Sequence, residues 1–147
     1  MTGTNHVATG VLIGAAFAAP IAVPLAVASH FVLDALPHFG DDTLSKRSKR
    51  FSAIITVDAI LIATIITSIL VVRPHHWQLM LAGGLFAASP DLMWVPSYLR
   101  TVRQRTHKAH NRIMIWHHSI QREYAWGLVT EIAWLLLISP FLYRAIE

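Results

Sequence analysis

His30 and Asp34 stand four residues apart in Ser29-His30-Phe31-Val32-Leu33-Asp34. On a helix that spacing puts an imidazole and a carboxylate on one face. Such a pair can begin a zinc or di-metal site, and it can equally form a hydrogen-bonded couple with no metal. His38 would share the face if the helix ran past Pro37. The chain has no cysteine, so disulfides, zinc knuckles and thiolate chemistry are excluded. A metal would have to be held by His, Asp, Glu or backbone oxygen.

Asp58 and Asp91 are single carboxylates inside apolar runs. A carboxylate at mid-bilayer costs about 2.5–3.5 kcal/mol on insertion scales. Each needs a partner: a Lys or Arg from an adjacent loop, a metal, or His30 or His117. Glu131 lies deeper and reads as a hydrogen bond to a neighbouring helix. His117 and His118 open the last apolar segment, and adjacent helical residues point about 100° apart, so one of them faces the interior. His107 and His110 read as surface groups in a basic loop, and His75 and His76 as interfacial.

The elements that must position these groups are membrane segments. Hydrophobic residues make up 54% of the 147 and charged residues 14%, where a soluble domain carries about a quarter charged. Mean hydropathy is +0.50, and the apolar residues come in blocks. Residues 7–19 and 21–36 read as a tight hairpin turning near Pro20. As one kinked helix they would run about 45 Å, too long for one span. Phe51–Val72 is the clearest span, 77–94 the next, and 116–143 the last long helix. Gly10, Gly14 and Ala18, four apart, give a face on which helix backbones can approach closely in lipid. Trp77, Trp94, Tyr98, Trp116 and Trp126 sit near span ends as interface anchors. The expected fold is all-α: one domain over 1–147, an integral membrane bundle of four to five transmembrane segments. Residues 1–6 carry no Lys or Arg, so the positive start of a cleavable signal is missing.

Ten of the twelve Lys and Arg fall in or beside two connections, 39–50 and 100–112. Arg73 and Arg144 are the exceptions. A pI near 10 arranged this way is a topology pattern, not a nucleic-acid groove. By the positive-inside rule the basic loops and the N-terminus are cytoplasmic. His6, His30, Asp34, His38, Asp58, Asp91, His117 and His118 then share one layer near the cytoplasmic face, although they come from separate helices.

Asn5-His6-Val7-Ala8-Thr9-Gly10 resembles the "T-H-x-x-x-G" opening of the membrane-bound metal-dependent hydrolase family of bacteria. Ser29-His30-x-x-x-Asp34 resembles that family's "S-H-x-x-x-D" helix. Ser89-Pro90-Asp91-Leu92-Met93-Trp94 is similar to its "P-D-x-D" motif, with Met93 in place of the second Asp. His117-His118-Ser119 is similar to the second half of its "H-R-x-x-T-H-S" motif. The order differs: the family's His-x-x-x-Asp helix usually comes last, and here it comes second. The family is itself distantly like zinc-dependent phospholipase C. The resemblance implies a membrane-embedded hydrolase of the cell membrane acting on a lipid or lipid phosphoester. His6, His30, Asp34, Asp91 and His118 would hold Zn²⁺ or another divalent ion, which lowers the pKa of a bound water to about 7. Asp58 would serve as general base or support the ligands. The basic 100–112 segment would meet an anionic lipid head group, or would reflect topology alone. The alternatives are a non-enzymatic membrane protein with a polar packing cluster, and a small transporter or proton pathway through Asp58, Asp91 and Glu131.

The topology is tested by cysteine labelling of Ser48→Cys, Pro74→Cys and Thr106→Cys in sealed vesicles. Ser48→Cys and Thr106→Cys should label from one side and Pro74→Cys from the other. Labelling of all three from the same side would overturn the shared polar layer.

Overall fold

The computed structural model describes residues 1–40, 49–94 and 112–147. The first two helices, α1 (Gly3–Ala16) and α2 (Ala19–Asp34), form the expected hairpin. Phe17 and Ala18 take extended backbone angles between them. Pro20 follows in the first turn of α2, where a missing N–H leaves no intrahelical bond unmade.

α1 packs most extensively on α4 (Trp77–Ala88). The reason lies in the glycines. A Cβ on Gly10 would sit 2.2 Å from the Gly83 carbonyl oxygen, and one on Gly83 would sit 2.1 Å from that of Gly10. The two backbones therefore touch, as the small-residue spacing of α1 suggests. Ala18 has left the helix and takes no part. Beyond this seam, Val7, Val11, Ile65, Ile69, Met80, Ile138 and Leu142 form the buried apolar core. It joins α1 and α4 to α3 (Lys49–Val72) and to the last helix (Leu128–Ile146).

Two expected segments are cut short. Region 77–94 is helical only to Ala88 and then tightens into a 3-10 turn, Ser89–Trp94. Pro90 has no N–H to offer the Phe86 carbonyl; the backbone N–H and hydroxyl of Ser89 donate to it instead. Region 116–143 is not one helix. It divides into α5 (Arg112–Ile120), strand β2 (Arg122–Tyr124) and α6 (Leu128–Ile146). β2 pairs in parallel with β1 (Pro37–Phe39), with His38 opposite Glu123. Gly127 makes that break possible: a Cβ there would lie 2.0 Å from the His38 carbonyl.

Among the described helices, two are long and apolar enough to cross a membrane: Phe51–Val72 and Leu128–Ile146. α2 is apolar but shorter. At 1.5 Å per residue α1, α2 and α4 measure about 18–24 Å, against a hydrocarbon core of about 30 Å. The connection at 41–48 and residues 95–111, with Pro96, Tyr98, His107, His110 and most of the basic rim, lie outside the described residues.

Gly83→Val should lower the unfolding free energy of the detergent-solubilised protein by about 1–3 kcal/mol or more, the cost of an overpacked core. Gly84→Ala is the control. Its Cβ would meet Val7 and Val11 methyl groups at 3.2 Å, and it should cost less. Equal effects would refute the close seam.

Candidate metal centre

On α2 the buried face runs Ala22, Ala26, His30, Asp34, four residues apart throughout. The small residues hold the helix against its neighbours, and the face ends in the two polar side chains. α1 contributes His6 from a first turn in which Thr4, Asn5 and His6 are all buried. The 3-10 turn after α4 brings Asp91, whose side chain is 26% exposed. α5 brings His117, which is buried, whereas its neighbour His118 is exposed. His6, His30 and Asp34 are fully buried.

These groups converge. One donor atom from each of His30, Asp34, Asp91 and His117 lies within 4.8 Å of the others. His30 Nε2 is 3.2 Å from Asp34 Oδ2, 3.7 Å from Asp91 Oδ1 and 3.1 Å from His117 Nε2. His117 Nε2 is 2.8 Å from Asp34 Oδ2. His6 Nε2 lies 3.1 Å from Asp34 Oδ1 and 3.9 Å from Asp91 Oδ2. The amino terminus of Met1 also donates to Asp34 Oδ1. Four ligands about 2.05 Å from a tetrahedral metal stand about 3.3 Å from one another. The observed spacings bracket that value.

The protonation of His30 follows from its outer partner. Its Nδ1 lies 2.8 Å from the Ala87 carbonyl oxygen, an acceptor only, so Nδ1 carries the proton. Its Nε2 then faces His117 and the two carboxylates. A backbone carbonyl fixing the tautomer in this way is the usual support of a metal-bound imidazole. His6 is the second sign. Both its ring nitrogens are buried and make no hydrogen bond among the described residues; Asp34 is near Nε2 but misaligned. An unpaired buried polar atom costs about 1–3 kcal/mol, and a cation between the two groups removes that cost. The donor set therefore fits a divalent ion.

The other sequence candidates lie elsewhere. His118 points outward, with Nδ1 3.4 Å from Gln121 Oε1; the neighbouring His117 takes the inward place. His38 turns onto the Leu36 carbonyl at 2.9 Å, because α2 ends before Pro37. Asp58 is not in the cluster. Its carboxylate accepts the Gly3 and Thr4 N–H groups at 3.1 and 2.8 Å and the Thr4 hydroxyl at 2.6 Å. Glu131, in the first turn of α6, accepts the Thr2 and Phe39 N–H groups at 3.0 and 3.1 Å. Asn5 Nδ2 donates to it at 3.3 Å. The two carboxylates thus grip the start of α1, two turns or less from His6. For Glu131 this is the expected bond to a neighbouring helix; for Asp58 nothing in the sequence marked the role, because its partners include backbone N–H groups distant along the chain.

Comparison with family models, with curated proteins and with solved structures gives no match to this chain.

If the centre holds a metal, chelator should lower the thermal midpoint of the wild type and leave His30→Ala and Asp34→Asn largely unchanged. If it is a packing device, chelator should move none of them. The substitutions should then cost about 1–3 kcal/mol each through unpaired partners.

Proposed function

We propose that the chain is a membrane-embedded, metal-dependent hydrolase acting on a lipid or lipid phosphoester at the cytoplasmic face. The observation that carries the reading is the convergence of His30, Asp34, Asp91 and His117 from three separate elements on one buried point. Zn²⁺ suits the mixed nitrogen and oxygen donors. A bound divalent ion supplies Lewis acidity, polarising a substrate oxygen and lowering the pKa of a water molecule to about 7. The chain does the rest. Ala87 orients His30 through Nδ1. Asp34 carries the negative charge that offsets the ion. Asp91, the one partly exposed member, lies on the side from which substrate can enter.

A lipid substrate fits the surroundings. The outward faces of α3 and α6 expose Ile55, Val57, Leu70, Val129, Leu136 and Phe141, apolar surface suited to acyl chains. In this reading α1, α2 and α4 complete a bundle of four to five segments beside the two long helices. The exposed Lys49, Arg112 and Arg122 belong to the cytoplasmic rim and suit an anionic head group. The motif resemblance to membrane-bound metal-dependent hydrolases supports the same class. The competing reading, a packing cluster, draws on one observation: Asp34 meets donors in Met1 and Gln121 and pairs with His117 without any ion. A proton relay is disfavoured, because Asp58 and Glu131 both grip the start of α1 instead of marking a path across the bundle.

Purified protein in mixed micelles should release head group or fatty acid from a fluorescent phospholipid when loaded with Zn²⁺ or Mn²⁺. Chelator or Asp34→Asn should reduce the rate at least a hundredfold. A metal-bound protein inert toward phospholipids, phosphatidic acid and diacylglycerol would defeat the proposed substrate class.

A further inference from the structure

Each of the two carboxylates faces two ways. Asp34 turns Oδ2 to His30 and His117, at 3.2 and 2.8 Å, and Oδ1 to His6, at 3.1 Å, and to the Met1 ammonium, whose place a second cation would take. Asp91 turns Oδ1 to His30, at 3.7 Å, and Oδ2 to His6, at 3.9 Å. One oxygen of each therefore belongs to the His30–His117 side and the other to the His6 side. His6 is fully buried and its ring nitrogens have no hydrogen-bond partner among the described residues. We infer that the centre takes two divalent cations, the second held by His6, with Asp34 and Asp91 bridging the pair.

The spacing permits it. Two ligand atoms can share an ion at about 2.1 Å only if they are no more than about 4.2 Å apart, and both His6 contacts satisfy that limit. The His6 and His30 rings stack with centroids 4.1 Å apart and planes 24° from parallel. A cation lies in the plane of its imidazole, so two stacked imidazoles that each bind through Nε2 set their ions about a ring spacing apart. Paired ions in phosphoester-cleaving and related sites stand about 3.5–4 Å apart. His6, Asp34 and Asp91 give the second ion three protein ligands, the number that leaves a position for water or substrate. The first ion draws on His30, Asp34, Asp91 and His117, whose ligand atoms lie within 4.8 Å of one another and would close in slightly around it.

This inference rests on the metal reading above and narrows its substrate. Two ions flanking one phosphorus stabilise the attacking and the leaving oxygen together, which makes a lipid phosphoester the fitting substrate over a carboxylic ester.

The test uses the full-length protein in detergent, loaded with Mn²⁺ and freed of excess ion. Metal is counted by atomic emission, and the spectrum is read by electron paramagnetic resonance. The wild type should hold two Mn²⁺ per chain with an exchange-coupled spectrum. His6→Ala should hold one, with the hyperfine pattern of an isolated ion. One uncoupled ion in the wild type would overturn the second site and leave the single-metal reading standing. No retained ion would overturn both. Should His6→Ala fail to fold, the coupling in the wild type decides alone.

Discussion

The α1 and α4 backbones meet at Gly10 and Gly83 with no room for a Cβ on either side. Much of the polar centre depends on that contact. It sets the first turn of α1 beside the end of α4. His6 then lies within 3.9 Å of Asp91 across two helices. The Ala87 carbonyl, one turn past Gly83, is available to the His30 ring of α2. Three helices converge where side chains of ordinary size would hold them further apart. Close backbone packing and polar contacts at such a seam supply attraction between helices.

The second constraint acts on the free end of α1. Its first N–H groups have no partners inside the helix. Asp58 of α3 and Glu131 of α6 supply them. A carboxylate at a helix N-terminus is worth about 0.3–1 kcal/mol when exposed and up to about 2 when partly buried. The two membrane-length helices are thus tied to the helix that carries His6. Asp58 reads as chemistry in the sequence because it is an ionisable group in an apolar run, whereas Glu131 reads as the hydrogen bond to a neighbouring helix that it makes with Asn5 of α1. The cost of Asp58 is met mainly by backbone N–H groups, a kind of partner that residue types do not reveal.

What the sequence could show follows from range. His30 and Asp34 share a face by helical spacing alone, and the hairpin follows from Pro20 and the length of the run. The glycine spacing of α1 marked a close seam but not its partner α4. Proline and glycine effects at longer range were hidden. The parallel pairing of β1 with β2 joins residues more than eighty positions apart, and it splits a run that reads as one helix. On α5, His117 faces inward and His118 outward. Gly127 was the visible hint of the split, a glycine within an otherwise helical pattern. Two helices among the described residues reach membrane length, fewer than the apolar runs, for a related reason. Hydropathy marks apolar residues, whereas Pro90 and Gly127 decide how many of them stay in one helix.

The charge balance of the centre bears on what must fill it. With Nδ1 donating to Ala87, His30 turns Nε2 to Asp34 and Asp91. Asp34 adds two acceptor oxygens and Asp91 two more. Carboxylate oxygens gathered in a buried site repel unless N–H groups or positive charge answer them. The Met1 ammonium answers one oxygen of Asp34, and an N–H of His117 can answer the other. Neither reaches Asp91 or the idle ring of His6 among the described contacts. A proton on His30 would satisfy one or two of the remaining acceptors in a fixed direction. A divalent cation answers several at once, from any direction, and carries charge enough for two carboxylates. His30, Asp34, Asp91 and His117 could hold such an ion.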